Sequence, residues 1–320
     1  MNTIHQTHFQ GSLVNFGTFR CHPSHPSFTD SGPIRHGHLI VFPRTCVRII
    51  HEGGEPIVAS PNVVMFYNAA QTYRRSPISV RGDRCEWFAF HPSVVAEAVY
   101  AYDPEASQRP EQPFSLTHGP SDALSYMIQR LAVKHVDDNS QVSHPHTTDC
   151  LQIEELLLNV LFRVVQKAFS VRGCQPDMIH AKSRRVNTRR AHAELVSSVQ
   201  ELIGKRFDQA LTLEAIAAAV HASPFRLCRI FRQQTGLTIH QYQNQIRLRS
   251  ALERIPDCHG DLTSVALELG YSSHSHFTYA FRRAFGITPS QLATTPASLQ
   301  LRELSKNLIA PSDAHSVSSM

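Results

Sequence analysis

Between Ile34 and Phe90 the apolar residues come in short bursts, HLIVF, CVRII, VVMFY and CEWFAF, divided by the turn-forming stretches GGEP, ASPN and RGD. Short runs rich in β-branched and aromatic residues and closed by Gly, Pro, Asn or Asp predict β-strands. Their spacing of roughly ten residues predicts an antiparallel sandwich or small barrel rather than βαβ units. From Pro92 the period becomes helical, over Pro92–Tyr102, Ser121–Val136 and Thr148–Ser170. In the last of these Leu151, Leu157, Leu158, Leu161, Val164, Val165 and Ala168 share a broad face, which packs either on the barrel or on a second subunit. Arg172 to Arg190, with Gly173, Pro176 and the run AKSRRVNTRR, reads as a domain linker whose arginines meet either DNA backbone or solvent. Helices follow over His192–Arg206 and Thr238–Ile255. After Pro296 a Ser-rich polar tail is expected to hold little fixed structure.

The most informative pattern is a repeat of about 50 residues. LEAIAAAVHASPFRLCRIFRQQTGLTIHQY, from Leu213 to Tyr242, aligns with LTSVALELGYSSHSHFTYAFRRAFGITPSQL, from Leu262 to Leu292, with one added residue in the second turn. Each copy places a small residue, Ala217 or Ala266, on a short helix, where it lets a second helix cross closely. In the first copy Ser223 supplies an N-cap oxygen and Pro224 a preset first-turn φ. In the second, Gly270 suits a left-handed turn and Ser272 or Ser273 can cap. Leu227, Ile230 and Phe231, and likewise Phe277, Phe281 and Phe285, fall together as inward faces. That leaves Phe225, Arg226, Cys228, Arg229, Arg232 and Gln233 outward in one copy, and His274, Ser275, Thr278, Tyr279, Arg282 and Arg283 in the other. These are cationic, hydrogen-bonding and thymine-methyl-contacting types near a helix N-terminus, the end that a helix-turn-helix presents to base edges in the major groove. The intervening helix, roughly 27 Å long at 1.5 Å per residue, can set two recognition helices about 34 Å apart, one turn of DNA. On it, Arg247 and Arg249 either contact phosphate or pair with Glu253, the local i,i+4 role suiting Arg249.

Charge agrees with this division of labour. Residues 1–180 hold 14 Lys and Arg against 16 Asp and Glu, whereas residues 181–320 hold 17 against 10, so the excess of cations that a polyanion needs lies in the second part. A chain of 320 residues predicts about two domains. No segment reaches the roughly 18 apolar residues of a membrane helix. The start MNTIHQTHFQ lacks the basic and apolar regions of a secretory signal, which gives a cytoplasmic expectation. The seven cysteines include no C-x-x-C pair, so reduced thiols are expected rather than a disulfide framework or zinc finger.

On the stretch His192 to Leu292, and above all on ALELGYSSHSHFTYAFRRAFGITPSQ, the chain resembles the AraC/XylS family of bacterial transcription regulators. The resemblance implies that the outward residues of both helices read bases: Phe225, Cys228 and Arg229 in the first, with Arg226 and Arg232 beside them, and His274, Ser275, Thr278 and Tyr279 in the second, with Arg282 beside them. Cys228 departs from the longer polar residue often found at its position. The resemblance further implies an α+β chain: a cupin-like antiparallel β-barrel with following helices over 1–171 for effector binding and dimerisation, a basic linker over 172–190, an all-α domain with two helix-turn-helix units over 191–295 and a flexible tail over 296–320. Expected partners are operator or promoter DNA, a small-molecule effector, RNA polymerase and a second copy of the chain; neither a membrane nor a cofactor is implied.

An alternative is a metal-binding cupin-type enzyme fused to the DNA-binding module, since twenty histidines invite a metal. His36 and His38 form an H-x-H pair, but the next acid, Glu52, stands too far along for the usual spacing. His22 with His25, and His144 with His146 and Cys150, sit in Pro- and Thr-rich loops. No phosphate loop, nucleotide fingerprint or G-x-S-x-G occurs, so no catalytic residue and no metal ligand is assigned. Trp87, Phe66 and Tyr67 either line an effector pocket or pack in the core.

Overall fold

A computed structural model describes residues 4–29, 32–139, 147–173 and 183–309. His144, His146, Cys174, the middle of the expected linker and the last residues of the tail lie outside these.

The first part is built from strands in two antiparallel sheets. The larger contains β1 (Ile4–Gln10), β2 (Val14–Cys21), β3 (His38–Pro43), β6 (Val63–Tyr67), β8 (Asp83–Phe90) and β9 (His118–Pro120), in the order β1-β2-β8-β3-β6-β9. The smaller holds β4 (Val47–His51), β5 (Ile57–Ala59) and β7 (Tyr73–Pro77), in the order β5-β4-β7. The strands thus lie in two sheets rather than one closed barrel.

The large sheet is covered on both faces. Ile40, Phe42, Val64, Phe66, Phe88 and Phe90 point to the helices, while Leu39, Val41, Met65, Tyr67, Trp87 and Ala89 point to the small sheet. With both faces buried, its strands read as unbroken apolar runs instead of alternating ones. β1 and β2 were not expected from the pattern. β1 is an edge strand carrying Gln6, Thr7 and His8, so it shows no apolar run.

The covering helices are α1 (Pro92–Tyr100), α2 (Ala123–Asn139) and α3 (Thr147–Gly173). Of the broad face on α3, Leu157, Leu161, Val164, Val165 and Ala168 are buried within the subunit, Ala168 against Gly119 of β9, while Leu151 is exposed. The face is therefore spent on the subunit's own core.

The second part is all helix: α4 (Ser183–Arg206), α5 (Leu213–Ala219), α6 (Pro224–Thr235), α7 (Ile239–Arg254), α8 (Leu262–Glu268), α9 (His274–Phe285), α10 (Pro289–Thr294) and α11 (Ala297–Ile309). α4 begins inside the stretch read as linker. α11 occupies the start of the expected tail, and Leu301 and Leu304 are buried on it while Gln300 donates to the carbonyls of Leu292 and Thr295. Polar composition hid this helix, because only a few of its residues face inward.

The two parts meet along a polar seam. Arg249 of α7 is buried, its guanidinium bonded to Asn62 Oδ1 at 2.5 Å and to the Ser121 carbonyl at 2.6 Å, and lying over the Tyr126 ring. Tyr242 Oη lies 3.0 Å from Ser60 Oγ, and the Tyr242 carbonyl accepts from Asn62 Nδ2. Glu253 pairs with Arg44 at 2.5 Å. This corrects the expected Arg249–Glu253 pair: α7 is pressed against the sheet domain, so both side chains find partners across the seam. Arg247 is not available to phosphate either, since its guanidinium donates to the carbonyls of Phe207, Gln209 and Gly270.

Candidate nucleic-acid interface

The two halves of the repeat are built alike, bond for bond. α5 ends with His221 at φ +50°, its N–H bonded to the Ala218 carbonyl and that of Ala222 to the Ala217 carbonyl. α8 ends with Gly270 at φ +80°, its N–H bonded to Leu267 and that of Tyr271 to Ala266. Both are Schellman closures around a left-handed residue. Gly270 has a further reason to be glycine: a Cβ there would sit 2.4 Å from the Asp208 carbonyl oxygen.

The second helix of each unit starts on a serine. Ser223 Oγ accepts from the Arg226 N–H and Ser273 Oγ from the His276 N–H, so Ser273 rather than Ser272 is the cap. Each helix ends on a left-handed glycine, Gly236 or Gly286. The next helix in each copy opens with a capping box, Thr238 with Gln241 and Thr288 with Gln291, which goes beyond the caps expected from the repeat. The T-x-x-Q spacing was its signal.

With Leu227, Ile230, Phe231, Phe277 and Phe281 wholly buried, the opposite faces are fixed. Phe225 is 81% exposed and Tyr279 66% exposed, unusual for rings of their size. Arg226, Cys228, Arg229, Arg232, Ser275 and Arg282 are exposed as well, while His274 and Thr278 are half-buried and approach each other at 3.5 Å. Among the described residues none of Arg226, Arg229, Arg232, Arg282 and Arg283 pairs with a carboxylate. Every residue singled out on the two helices is thus presented to solvent wholly or in part. The spacer between the units, α7, has 16 residues and so runs about 24 Å.

A helix-turn-helix domain model matches residues 216–295, from within α5 of the first unit through the end of the second. The regulatory protein SoxS of Salmonella typhimurium is 32% identical over 100 residues, which cover 31% of this chain and 94% of that protein. The chain belongs to the AraC/XylS family of transcription regulators. The melibiose operon regulatory protein of Escherichia coli K12 is 29% identical over 142 residues, covering 44% of this chain and 47% of that protein. Among solved structures, the C-terminal domain of AraT, a response regulator from Geobacillus stearothermophilus, is 30% identical over 32% of this chain and 84% of its own, with a TM-score of 0.30. The chain spans about half the length of the first curated relatives in the family that it matches.

Outside the repeat, the two histidines of the H-x-H pair face different surroundings. His38 is buried and its Nδ1 accepts from the Ala69 N–H, whereas His36 is exposed and stacks on Trp87. His22 bonds to Ser24. Among the described residues no three His, Cys, Asp or Glu side chains come together in a way that could hold a metal ion. Among them, too, no helix is long and apolar enough to cross a membrane.

Proposed function

We propose that the protein is a sequence-specific DNA-binding transcription regulator whose sheet domain binds a small-molecule effector. The observation that carries the first half is the repeated, doubly capped helix whose exposed face holds unpaired arginines and large aromatic rings. α6 reads one major-groove segment through Phe225, Arg226, Cys228, Arg229 and Arg232, and α9 reads the next through His274, Ser275, Thr278, Tyr279 and Arg282. Arg229 takes a guanine edge, and Phe225 and Tyr279 meet thymine methyls. Residues 191–295 form the reading domain. Residues 1–171 form the effector domain, whose two facing sheets around a cavity support a cupin-like reading. RNA polymerase and a second copy of the chain are further partners on this reading; dimerisation would use a surface other than the buried face of α3. The setting is cytoplasmic.

A route for the effector's influence follows from the seam. Ala59 lines the cavity, and Ser60 and Asn62, in the turn that follows it, hold Tyr242 and Arg249 of α7. A ligand that moves β5 therefore moves the spacer between the two reading helices.

The test is equilibrium binding to a fragment selected from genomic DNA. Arg229→Ala is expected to weaken specific binding by about 1–3 kcal/mol and to relax base preference at one position. Unchanged operator affinity in both Arg229→Ala and Tyr279→Ala contradicts the assignment.

A further inference from the structure

A second cleft, apart from the space between the sheets, lies where the sheet domain meets the helix-turn-helix domain. Its volume is about 1140 Å³, and its walls come from β2, β8 and α2 on one side and from the end of α7 and from α8 on the other. The sheet wall carries an unusual pair. Arg20 of β2 and Arg84 of β8 stand directly opposite each other in the strand register, and both line the cleft. Like charges so placed destabilise a sheet when nothing of opposite charge joins them.

Most other charges of the cleft are matched. Arg81 pairs with Asp208 at 3.2 Å, Arg254 with Glu268 at 3.1 Å, and His8 with Asp137. Asp261 caps α8 by accepting from the Ser264 N–H. Lys134 stands one turn before Asp138 on α2, and Asp257 is exposed in the turn after α7. Around the arginine pair the count differs. Arg44 and Arg130 share the buried Glu86, and Arg44 also holds Glu253 at 2.5 Å. Arg84 reaches Glu253 only at 3.7 Å, and Arg20, exposed, pairs with no carboxylate among the described residues. Four guanidinium groups thus face two carboxylates, which leaves two positive charges in excess. Arg84 registers the excess: burial, with Arg44 and Arg20 beside it, lowers its pKa against the opposing pull of Glu253 and Glu86. Its side chain is 34% exposed while its Nε is enclosed, so its terminal nitrogens are the ones open to a ligand.

We infer that Arg20 and Arg84 form the anion-binding end of a site for a phosphate dianion at the junction of the two domains. Two excess positive charges match a dianion, and the oxygens of one phosphoryl group can take the forks of two arginines at once. A carboxylate offers one edge and one charge, and a dicarboxylate divides its charge between two centres. The cleft is large enough to hold the organic part of a small phosphomonoester beside the phosphoryl group. This site is separate from the cavity between the sheets and does not depend on the effector reading.

The test is calorimetric titration of glycerol 3-phosphate, inorganic phosphate and succinate into the full chain at about pH 8, where the phosphate groups are dianions, with ionic strength held constant by chloride. Saturable binding of a phosphate compound is expected, about tenfold or more tighter than that of succinate and about tenfold or more weaker in Arg20→Gln and in Arg84→Gln. Arg20 has no carboxylate partner to lose, so Arg20→Gln tests the site even if Arg84→Gln does not fold. Whichever of the two phosphate compounds binds more tightly identifies the source, and either order supports the phosphate group as what is recognised. No saturable binding of either phosphate compound, succinate binding as tightly, or binding that Arg20→Gln leaves undiminished overturns the inference. If neither phosphate compound binds and Arg20→Gln weakens operator binding instead, the pair faces DNA backbone and the inference falls.

Discussion

Arg229 and Arg249 carry the same charge into opposite surroundings, one on the open face of α6 and the other buried beneath α7. On the proposed reading Arg229→Ala removes a DNA contact, and denaturation should shift by no more than about 0.5 kcal/mol, as for other exposed sites. Arg249→Met breaks two charge-assisted hydrogen bonds and strands Asn62, so urea unfolding should show a loss of about 2–3 kcal/mol. The Arg229 surroundings were legible because the repeat fixes which face is inward. Those of Arg249 were not: its partners Asn62 and Ser121 are distant in the chain, and nothing local marks them.

A histidine supplies a second residue-scale prediction. His51 is buried, stacks on Tyr67, and accepts from Gln71 at Nδ1; burial, with His118 nearby, pushes its pKa down to about 4. It is neutral when folded and titrates near 6.5 when unfolded. Its contribution is therefore fully present above pH 6.5, falls as the pH drops from there to about 4, and amounts to up to about 3 kcal/mol. Unfolding free energies compared at pH 7 and pH 5 should show a loss of about 2 kcal/mol from this group in the wild type and a smaller one in His51→Gln.

At the scale of elements, what the chain announced locally is what the structure contains. Serine caps, left-handed glycines and inward residues three or four apart, Leu227, Ile230 and Phe231 in α6 and Phe277, Phe281 and Phe285 in α9, specify the two helices within a few residues of sequence. The strands facing two layers were legible as strands but not by facing, because Phe66 and Tyr67 are both buried, the first under helices and the second toward the cavity. β1 and α11 escaped notice because the former is polar and the latter buries only part of its surface. The glycine closures give the sharpest elemental prediction. Gly286 has open space around its missing Cβ, so Gly286→Ala should cost only the left-handed strain, about 1–2 kcal/mol. Gly270→Ala adds a collision with the Asp208 carbonyl and should cost about 3 kcal/mol or more, read from thermal unfolding of the two variants.

Over the whole molecule, cations concentrate in the part that carries the two helix-turn-helix units, while that part is bound to the sheet domain by Arg249, Tyr242 and the Arg44–Glu253 pair. The charge predicts that operator affinity falls steeply with salt as phosphate contacts release counterions; a flat dependence would speak against an extended DNA interface. The most direct test of two readers on one spacer is a hydroxyl-radical footprint on a selected operator fragment. Two protected segments centred about 10 base pairs apart on one face of the duplex are expected, the segment under α6 fading in Arg229→Ala and the other in Tyr279→Ala. A single protected segment, or protection that both variants leave intact, would contradict it.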